Sequence, residues 1–274
     1  TVNLTVRLYV APYITLDVPR AGAIISGGSL VRISGRADGV NITSVKVNTG
    51  GPNRWLDGVH STADRKWSFE WNTSGLPSGN YTLTARLDDG LGAIDSAPVT
   101  VFLDADDPSV TVAAGGILKG GMAVELYGTA RDNLGVTRLE VEIWGPGETG
   151  TRRPALLDAE AGTWSFDWPT GGLMSGTFTV SAFATDIAGR TGIARANVTL
   201  DFEAPEVAIG TAGLFRGGAP LRLEGMARDA VMLRSVTVFE GGRAHAATLA
   251  GDRWSFDWDT TGLASGKYTL TALA

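Results

Sequence analysis

The chain has 274 residues, a formal net charge of −6 at pH 7 and no cysteine. Its charges are spread along the chain without the basic patch of a nucleic-acid binder, and it can form neither a disulfide nor a thiolate metal site. The sequence has no run of 18 or more apolar residues, which is the length a membrane-spanning helix needs. We therefore expect no nucleic-acid partner and no membrane span.

In chain order, the first predicted elements are an opening strand led by proline and two strands of alternating apolar and polar residues. This alternation is typical of strands that bury one face. The same three elements recur twice further along the chain. The opening strands begin at Pro12, Pro108 and Pro205, the second strands are predicted at 31–38, 124–132 and 221–229, and the third at 44–47, 139–143 and 235–239.

The next element is an aromatic motif, Trp-Ser-Phe-acid-Trp, found at 67–71, 164–168 and 254–258. Its copies lie roughly 90 to 100 residues apart, which is the size of one sandwich domain. Because alternate side chains of a strand share a face, the motif predicts that the three aromatic side chains face a core. A surface that stacks ligands on these rings is a weaker interpretation, since large aromatic residues are mostly buried.

Each motif is followed by a Ser-Gly turn and a strand that starts at Tyr81, Phe178 or Tyr268, and the first two repeats also have an exit strand. About seven short strands per repeat predict an all-β protein of three tandem immunoglobulin-like β-sandwich domains, the third lacking its own last strand. The predicted boundaries are 1–10 for an orphan strand, 11–104 for unit one, 105–201 for unit two and 202–274 for unit three.

The order of segments in unit two resembles the bacterial Ig-like repeats of large prokaryotic surface proteins. The segments run from Ala-Arg-Asp-Asn-Leu-Gly-Val at 130–136 through 164–168 and 175–182 to Thr-Asp-Ile-Ala-Gly at 185–189. The resemblance covers essentially the whole chain, although unit one departs from it at 35–40 and 87–89. It implies an extracellular location at the cell surface. It does not specify a task, because such sandwiches act as stalks, adhesins, coats and spacers.

Residues that could carry chemistry are scattered. The two histidines, His60 and His245, lie in different units, and segment 145–150 matches a Gly-x-Gly-x-x-Gly fingerprint with no predicted helix after it. A phosphate site needs that helix, so we expect a long hairpin loop there. Because catalysis requires acid–base or nucleophilic groups in one place, we predict no catalytic residues and no enzyme activity.

Acidic residues are concentrated at the junction of units one and two. In an Ig-like sandwich, the linker that enters a domain lies beside the loops after its second and sixth strands, so acids of the linker should meet acids of those loops. Such oxygen clusters can supply the about six to eight ligands that calcium prefers, whereas the alternative is that they cap turns. Calcium is the only cofactor that the sequence predicts. The candidate ligands are Asp104, Asp106, Asp107, Asp132, Asn133 and Asp186.

Five of the eight asparagines lie in Asn-x-Ser/Thr sequons. This frequency indicates N-glycosylation of an exported protein, and the alternative is that threonine-rich strands create sequons by chance. The sequons are at Asn3, Asn41, Asn72, Asn80 and Asn197.

Segment 1–10 alternates apolar residues as an exit strand does, through Val2, Leu4, Val6 and Leu8. Since unit three has no exit strand of its own, we predict that this donor strand fills unit three of another copy. Such a head-to-tail contact generates a polymer. The alternative is that the sequence is a window of a longer repeat array.

We therefore expect a structural subunit of an extracellular filament or cell-surface layer. Its partners are copies of itself, together with other surface proteins or glycans. The alternative function is an adhesin or carbohydrate-binding stalk segment. That function would need exposed aromatic side chains, and Trp55 and Trp144 are the two tryptophans outside the repeated motif.

Overall fold

The structure is a computed structural model that describes residues 11–50, 54–113 and 115–274. These residues form strands and turns arranged as three consecutive units. In the described ranges, no helix is long and apolar enough to cross a membrane. The predicted orphan strand, with Val2, Leu4, Val6 and Leu8, lies outside the described residues.

In its described residues, 11–50 and 54–104, unit one is a sandwich of ten strands in two sheets. The strands are β1 (Tyr13–Ile14), β2 (Ile24–Ser26), β3 (Leu30–Asp38), β4 (Ser44–Asn48), β5 (Leu56–Asp57), β6 (Val59–Ser61), β7 (Lys66–Asn72), β8 (Gly79–Asp88), β9 (Ala93–Asp95) and β10 (Val99–Asp104). One sheet has the order β1-β3-β7-β6, and the other has the order β2-β10-β8-β4-β5 with β9 paired to β8.

Unit two repeats this arrangement. Its strands are β11 (Ser109–Val110), β12 (Gly116–Lys119), β13 (Ala123–Arg131), β14 (Val136–Gly145), β15 (Glu148–Thr149), β16 (Arg153–Pro154), β17 (Leu156–Asp158), β18 (Thr163–Pro169), β19 (Gly176–Asp186) and β20 (Thr191–Asp201). The sheets have the orders β11-β13-β18-β17 and β12-β20-β19-β14-β15, with β16 paired to β14.

Unit three has the same first sheet and a smaller second sheet. Its strands are β21 (Glu206–Ile209), β22 (Pro220–Arg228), β23 (Thr237–Glu240), β24 (Arg243–Ala246), β25 (Thr248–Ala250), β26 (Arg253–Asp259) and β27 (Leu270–Leu273). The first sheet has the order β21-β22-β26-β25, and the second has the order β24-β23-β27.

The first tryptophan of each aromatic motif fastens the opening strand to the core. In unit one the indole N–H of Trp67 donates to the carbonyl oxygen of Thr15 at 2.9 Å, and Gly35 lies opposite Trp67 across β3 and β7. A Cβ atom on Gly35 would lie well under 3.0 Å from that carbonyl oxygen, so only glycine lets the strands approach. The equivalent trios are Gly128, Trp164 and Thr111 in unit two, and Gly225, Trp254 and Ala208 in unit three.

A buried threonine two residues after each motif closes the end of the sandwich. The hydroxyl of Thr73 donates to the carbonyl oxygen of Ser29 at 2.6 Å and accepts from the Ser29 N–H at 3.1 Å. Thr170 and Thr260 make the equivalent bonds to the turns at Met122 and Ala219. The sequence pattern did not reveal this role, because threonine is common throughout the strands.

The prediction that all three aromatic side chains of the motif are buried needs one correction. Both tryptophans are buried in every unit, but the phenylalanine is only half-buried. Polar side chains cover the ring: Arg153 lies over Phe166 at 5.2 Å, and His245 stacks on Phe256 at 5.0 Å. The phenylalanine therefore lies at the margin of each core.

The short strands that were not predicted include β2 and β12. β2 pairs in parallel with β10, and β12 pairs in parallel with β20, so the chain switches from one sheet to the other after the opening strand. Their three or four residues are too few to produce a clear alternation pattern. The switch covers the edge of β10 and β20, which would otherwise present unpaired backbone groups.

The expectation of a long hairpin loop at 145–150 was wrong about its length. Trp144 pairs with Thr149 and Gly145 pairs with Glu148, which leaves a two-residue turn of Pro146 and Gly147. Gly147 has a φ of 86°, a conformation that glycine adopts without strain. The segment is a tight β-hairpin.

Candidate metal centre at the first junction

Three aspartates from three separate elements converge where unit one meets unit two. Asp104 ends β10, Asp132 follows β13, and Asp186 ends β19. One carboxylate oxygen from each lies within 4.8 Å of those of the other two. Asp104 and Asp186 are 0% and 2% exposed, so this is a buried cluster of like charges.

In each aspartate, one carboxylate oxygen accepts a hydrogen bond from a backbone N–H, which leaves the second oxygen available for another contact. Oδ1 of Asp186 accepts from the Arg190 N–H at 2.9 Å, and Oδ2 of Asp132 accepts from the Leu134 N–H at 2.8 Å. The Oδ2 atoms of Asp104 and Asp186 are buried and have no hydrogen-bond partner among the described residues. Turn capping, the alternative raised by the sequence, thus accounts for only part of the cluster.

The other three candidate ligands lie beside the cluster. The Nδ2 atom of Asn133 donates to Oδ2 of Asp106 at 3.0 Å and to Oδ1 of Asp104 at 3.4 Å. Oδ2 of Asp106 also accepts from the hydroxyl of Ser78. Asp107 points elsewhere and forms an ion pair with Arg190 at 2.8 Å. The structure thus brings Asp104, Asp132 and Asp186 together, with Asn133 and Asp106 at the edge.

Arg190 fastens the two units to each other, and the sequence did not identify it. Its guanidinium group donates to the carbonyl oxygen of Gly27 in unit one at 2.9 Å and to that of Asp106 in the linker at 3.0 Å. With the ion pair to Asp107, it holds both sides of the junction. The signal that could have identified Arg190 is its position in the sequence. It lies four residues after Asp186, in a loop that is expected to face an acidic linker.

The second junction repeats part of this arrangement. The N–H of Phe202 donates to the hydroxyl of Ser175 at 2.9 Å, as the N–H of Ala105 does to that of Ser78 at 2.8 Å. Asp229 takes the place of Asp132 and caps its loop by accepting from the Val231 N–H at 2.9 Å. The position equivalent to Asp186 falls outside the sequence, so a three-carboxylate cluster is described only at the first junction.

The described sequons lie on the surface. The side chains of Asn41, Asn72, Asn80 and Asn197 are all exposed, whereas Asn3 lies outside the described residues. Exposure makes them accessible to a glycosyltransferase but also suits ordinary polar surface residues.

The two tryptophans outside the motif differ in exposure. The guanidinium group of Arg86 lies 4.0 Å from the centre of the Trp55 ring and covers it. Trp144 is 53% exposed beside the tight hairpin, and its indole N–H donates to Glu142 at 2.7 Å. The two histidines hold local contacts: His60 lies 3.3 Å from the carbonyl oxygen of Ala37, and His245 lies 3.6 Å from Glu240.

The chain is similar to solved structures of tandem repeats, at low sequence identity. Among solved structures, an I-band fragment I67-I69 from titin is 13% identical, with a TM-score of 0.49 over 97% of this chain and 94% of that one. A tetra-tandem repeat in the extending region of a large adhesion protein is 22% identical, with a TM-score of 0.34 over 92% of this chain and 70% of that one. A search of curated protein sequences returned no match.

The family follows from the sequence itself. A family model described as a bacterial Ig domain matches residues 12–85 and 205–272. These two regions together make up more than half of the 274 residues, and they correspond to most of unit one and unit three. Unit two has the same strand order as unit one, and Trp164 lies opposite Gly128 as Trp67 lies opposite Gly35. The chain therefore belongs to the bacterial Ig domain family, as a tandem array of immunoglobulin-like β-sandwiches.

Proposed function

We propose that the chain is a non-catalytic structural segment of an extracellular, cell-surface protein, in which the Ig-like units act as spacers that set length. The main support is that each unit has its own hydrophobic core, whose buried residues all belong to that unit. Units built in this way can be added in series without disturbing one another. Stretching single molecules tests this function, because independent units in series must unfold one at a time under load.

The finer proposal is that unit three accepts an extended strand from another copy, which would build a filament or surface layer. In units one and two, the last strand buries apolar residues such as Leu103 and Leu200 against the core. Unit three instead has a groove of about 550 Å³ at this side of the sandwich. The groove is lined by residues that include Ile209, Phe215, Leu221, Leu223, Trp258 and Leu270.

The strand beside this groove supports the same proposal. β8 and β19 start pairing with β10 and β20 at Gly79 and Gly176, whereas β27 begins only at Leu270. Tyr268 is exposed, although its equivalent Phe178 is fully buried. An unpaired sheet edge next to exposed apolar residues favours the addition of a strand from another chain.

The proposed occupant is the segment with Val2, Leu4, Val6 and Leu8. Its alternation matches that of the exit strands, in which Val101 and Leu103 face the core of unit one. An added strand gains affinity from backbone hydrogen bonds and specificity from the alternate side chains that enter pockets. Because the contact joins segment 1–10 of one copy to unit three of the next, it is head-to-tail and would extend the polymer.

Deleting residues 1–10 tests the donor-strand proposal. We expect the truncated protein to stay monomeric, and a synthetic peptide of residues 1–10 to bind it and raise the melting temperature of unit three. A peptide with Leu4→Asp and Val6→Asp is the matched control and should not bind, because a charge cannot enter an apolar groove without cost. Two results would contradict the proposal. One is that the truncated protein forms filaments, and the other is that the peptide leaves the melting temperature of unit three unchanged.

One observation favours the alternative of a carbohydrate-binding stalk, namely the exposed ring of Trp144. Exposed aromatic rings can stack on apolar faces of ligands. Binding of the protein to surface glycans that is lost in Trp144→Ala would favour this function over a simple spacer.

A further inference from the structure

The geometry points to a calcium ion held by Asp104, Asp132 and Asp186, which locks unit one to unit two. This proposal does not depend on the spacer function, since units can act in series with or without an ion at their junction. It rests on the position, burial and unused oxygen atoms of these three side chains.

The burial and close spacing of the three carboxylates favour a bound cation. Two of the three carboxylates are at least 98% buried, and their Oδ2 atoms have no hydrogen-bond partner among the described residues. Burying a carboxylate without a partner is costly, and placing three within 4.8 Å of one another adds mutual repulsion. The guanidinium group of Arg190 does not relieve this repulsion directly, since it pairs with Asp107.

The ligand chemistry favours calcium over other metals. The cluster offers carboxylate oxygens and includes neither cysteine nor histidine, the side chains that zinc and copper prefer. Calcium accepts carboxylates with one or two oxygens and a flexible geometry, whereas magnesium requires a near-ideal octahedron. Rotating the side-chain amide of Asn133 by half a turn would present its oxygen to the same centre, in place of the Nδ2 atom that now faces Asp104 and Asp106.

The ion would couple the two units because its ligands come from both. Asp104 is the last residue of β10 in unit one, whereas in unit two Asp132 follows β13 and Asp186 is the last residue of β19. Arg190 spans the same junction through Gly27 and the linker. An ion at the cluster and the arginine beside it would restrain the linker at two points, so the angle between the units should vary less when calcium is bound.

Calorimetric titration of the chelator-treated full chain with calcium chloride tests the site. We expect one ion to bind, and the melting temperature of unit two to rise by about 10 °C when calcium exceeds the dissociation constant about 100-fold. The distribution of distances between spin labels on units one and two should narrow on binding. Asp132→Asn and Asp186→Asn should abolish both effects, and Asp229→Asn, the equivalent change at the second junction, should preserve them.

These variants also distinguish a metal site from a purely structural cluster. Asparagine keeps the oxygen that caps the loop but removes a negative charge, so in chelator Asp186→Asn should melt at or above the temperature of the unchanged protein. In calcium it should melt below it. The proposal is overturned if calcium gives no heat and no change in melting, if magnesium binds more tightly than calcium, or if lowering the pH stabilises unit two while calcium does not.

Discussion

Replacing Trp164 with alanine is expected to lower the free energy of unfolding of unit two by about 3–5 kcal/mol, the usual cost of removing a large buried aromatic side chain. Trp164 is only 2% exposed and belongs to the core cluster of unit two. Its indole N–H also donates to the carbonyl oxygen of Thr111, so the substitution removes the bond that holds the opening strand.

Denaturant unfolding of the full chain, with hydrogen exchange to identify the unit that opens, measures this loss. Trp144→Ala is the matched control, since that tryptophan is 53% exposed and should change stability by less than about 1 kcal/mol. Equal stability of Trp164→Ala and the unchanged protein would show that the aromatic motif does not form the core.

Replacing Gly128 with alanine is expected to destabilise unit two by about 3 kcal/mol, at the upper end of the cost of overpacking a core. The added Cβ would lie well under 3.0 Å from the carbonyl oxygen of Thr111 and 2.7 Å from Nε1 of Trp164. A backbone oxygen cannot move aside as the end of a flexible side chain can. The opening strand must therefore shift away from β13 and lose its bond to the indole.

Thermal unfolding compares this variant with Gly171→Ala, in which the new Cβ would meet no atom within 4 Å. The control should melt close to the unchanged protein, because the substitution adds no clash. If both variants melt at the same temperature, the close approach of the strands at Gly128 is not a constraint on the fold.

The sequence predicted the parts of the fold that depend on side-chain periodicity. Alternation identified β3, β4 and β7, and the repeated Trp-Ser-Phe-acid-Trp motif set the number of units. It missed contacts that depend on how strands approach in space. Nothing in the pattern around Gly35 indicates that a neighbouring carbonyl oxygen touches it, and β2 is too short to carry an alternation signal.

The candidate site was predictable to a similar degree. Linker and loop positions in an Ig-like sandwich were enough to expect that Asp104, Asp132 and Asp186 lie close to one another. They could not indicate that Asp107 turns away to pair with Arg190, because an exposed linker side chain can adopt many rotamers. Nor could they show that the buried oxygens of two aspartates lack a partner among the described residues, since burial depends on the packing of both units.

Force–extension measurement of single molecules held at their two ends tests most directly whether the units act as independent spacers in series. We expect separate unfolding events for units one and two, each releasing about 300 Å of chain at roughly 3.3–3.6 Å per residue. Unit three should yield at a lower force, because its groove leaves part of its core uncovered. A single event that releases the whole chain, or a smooth extension without events, would contradict a chain of separately folded spacer units.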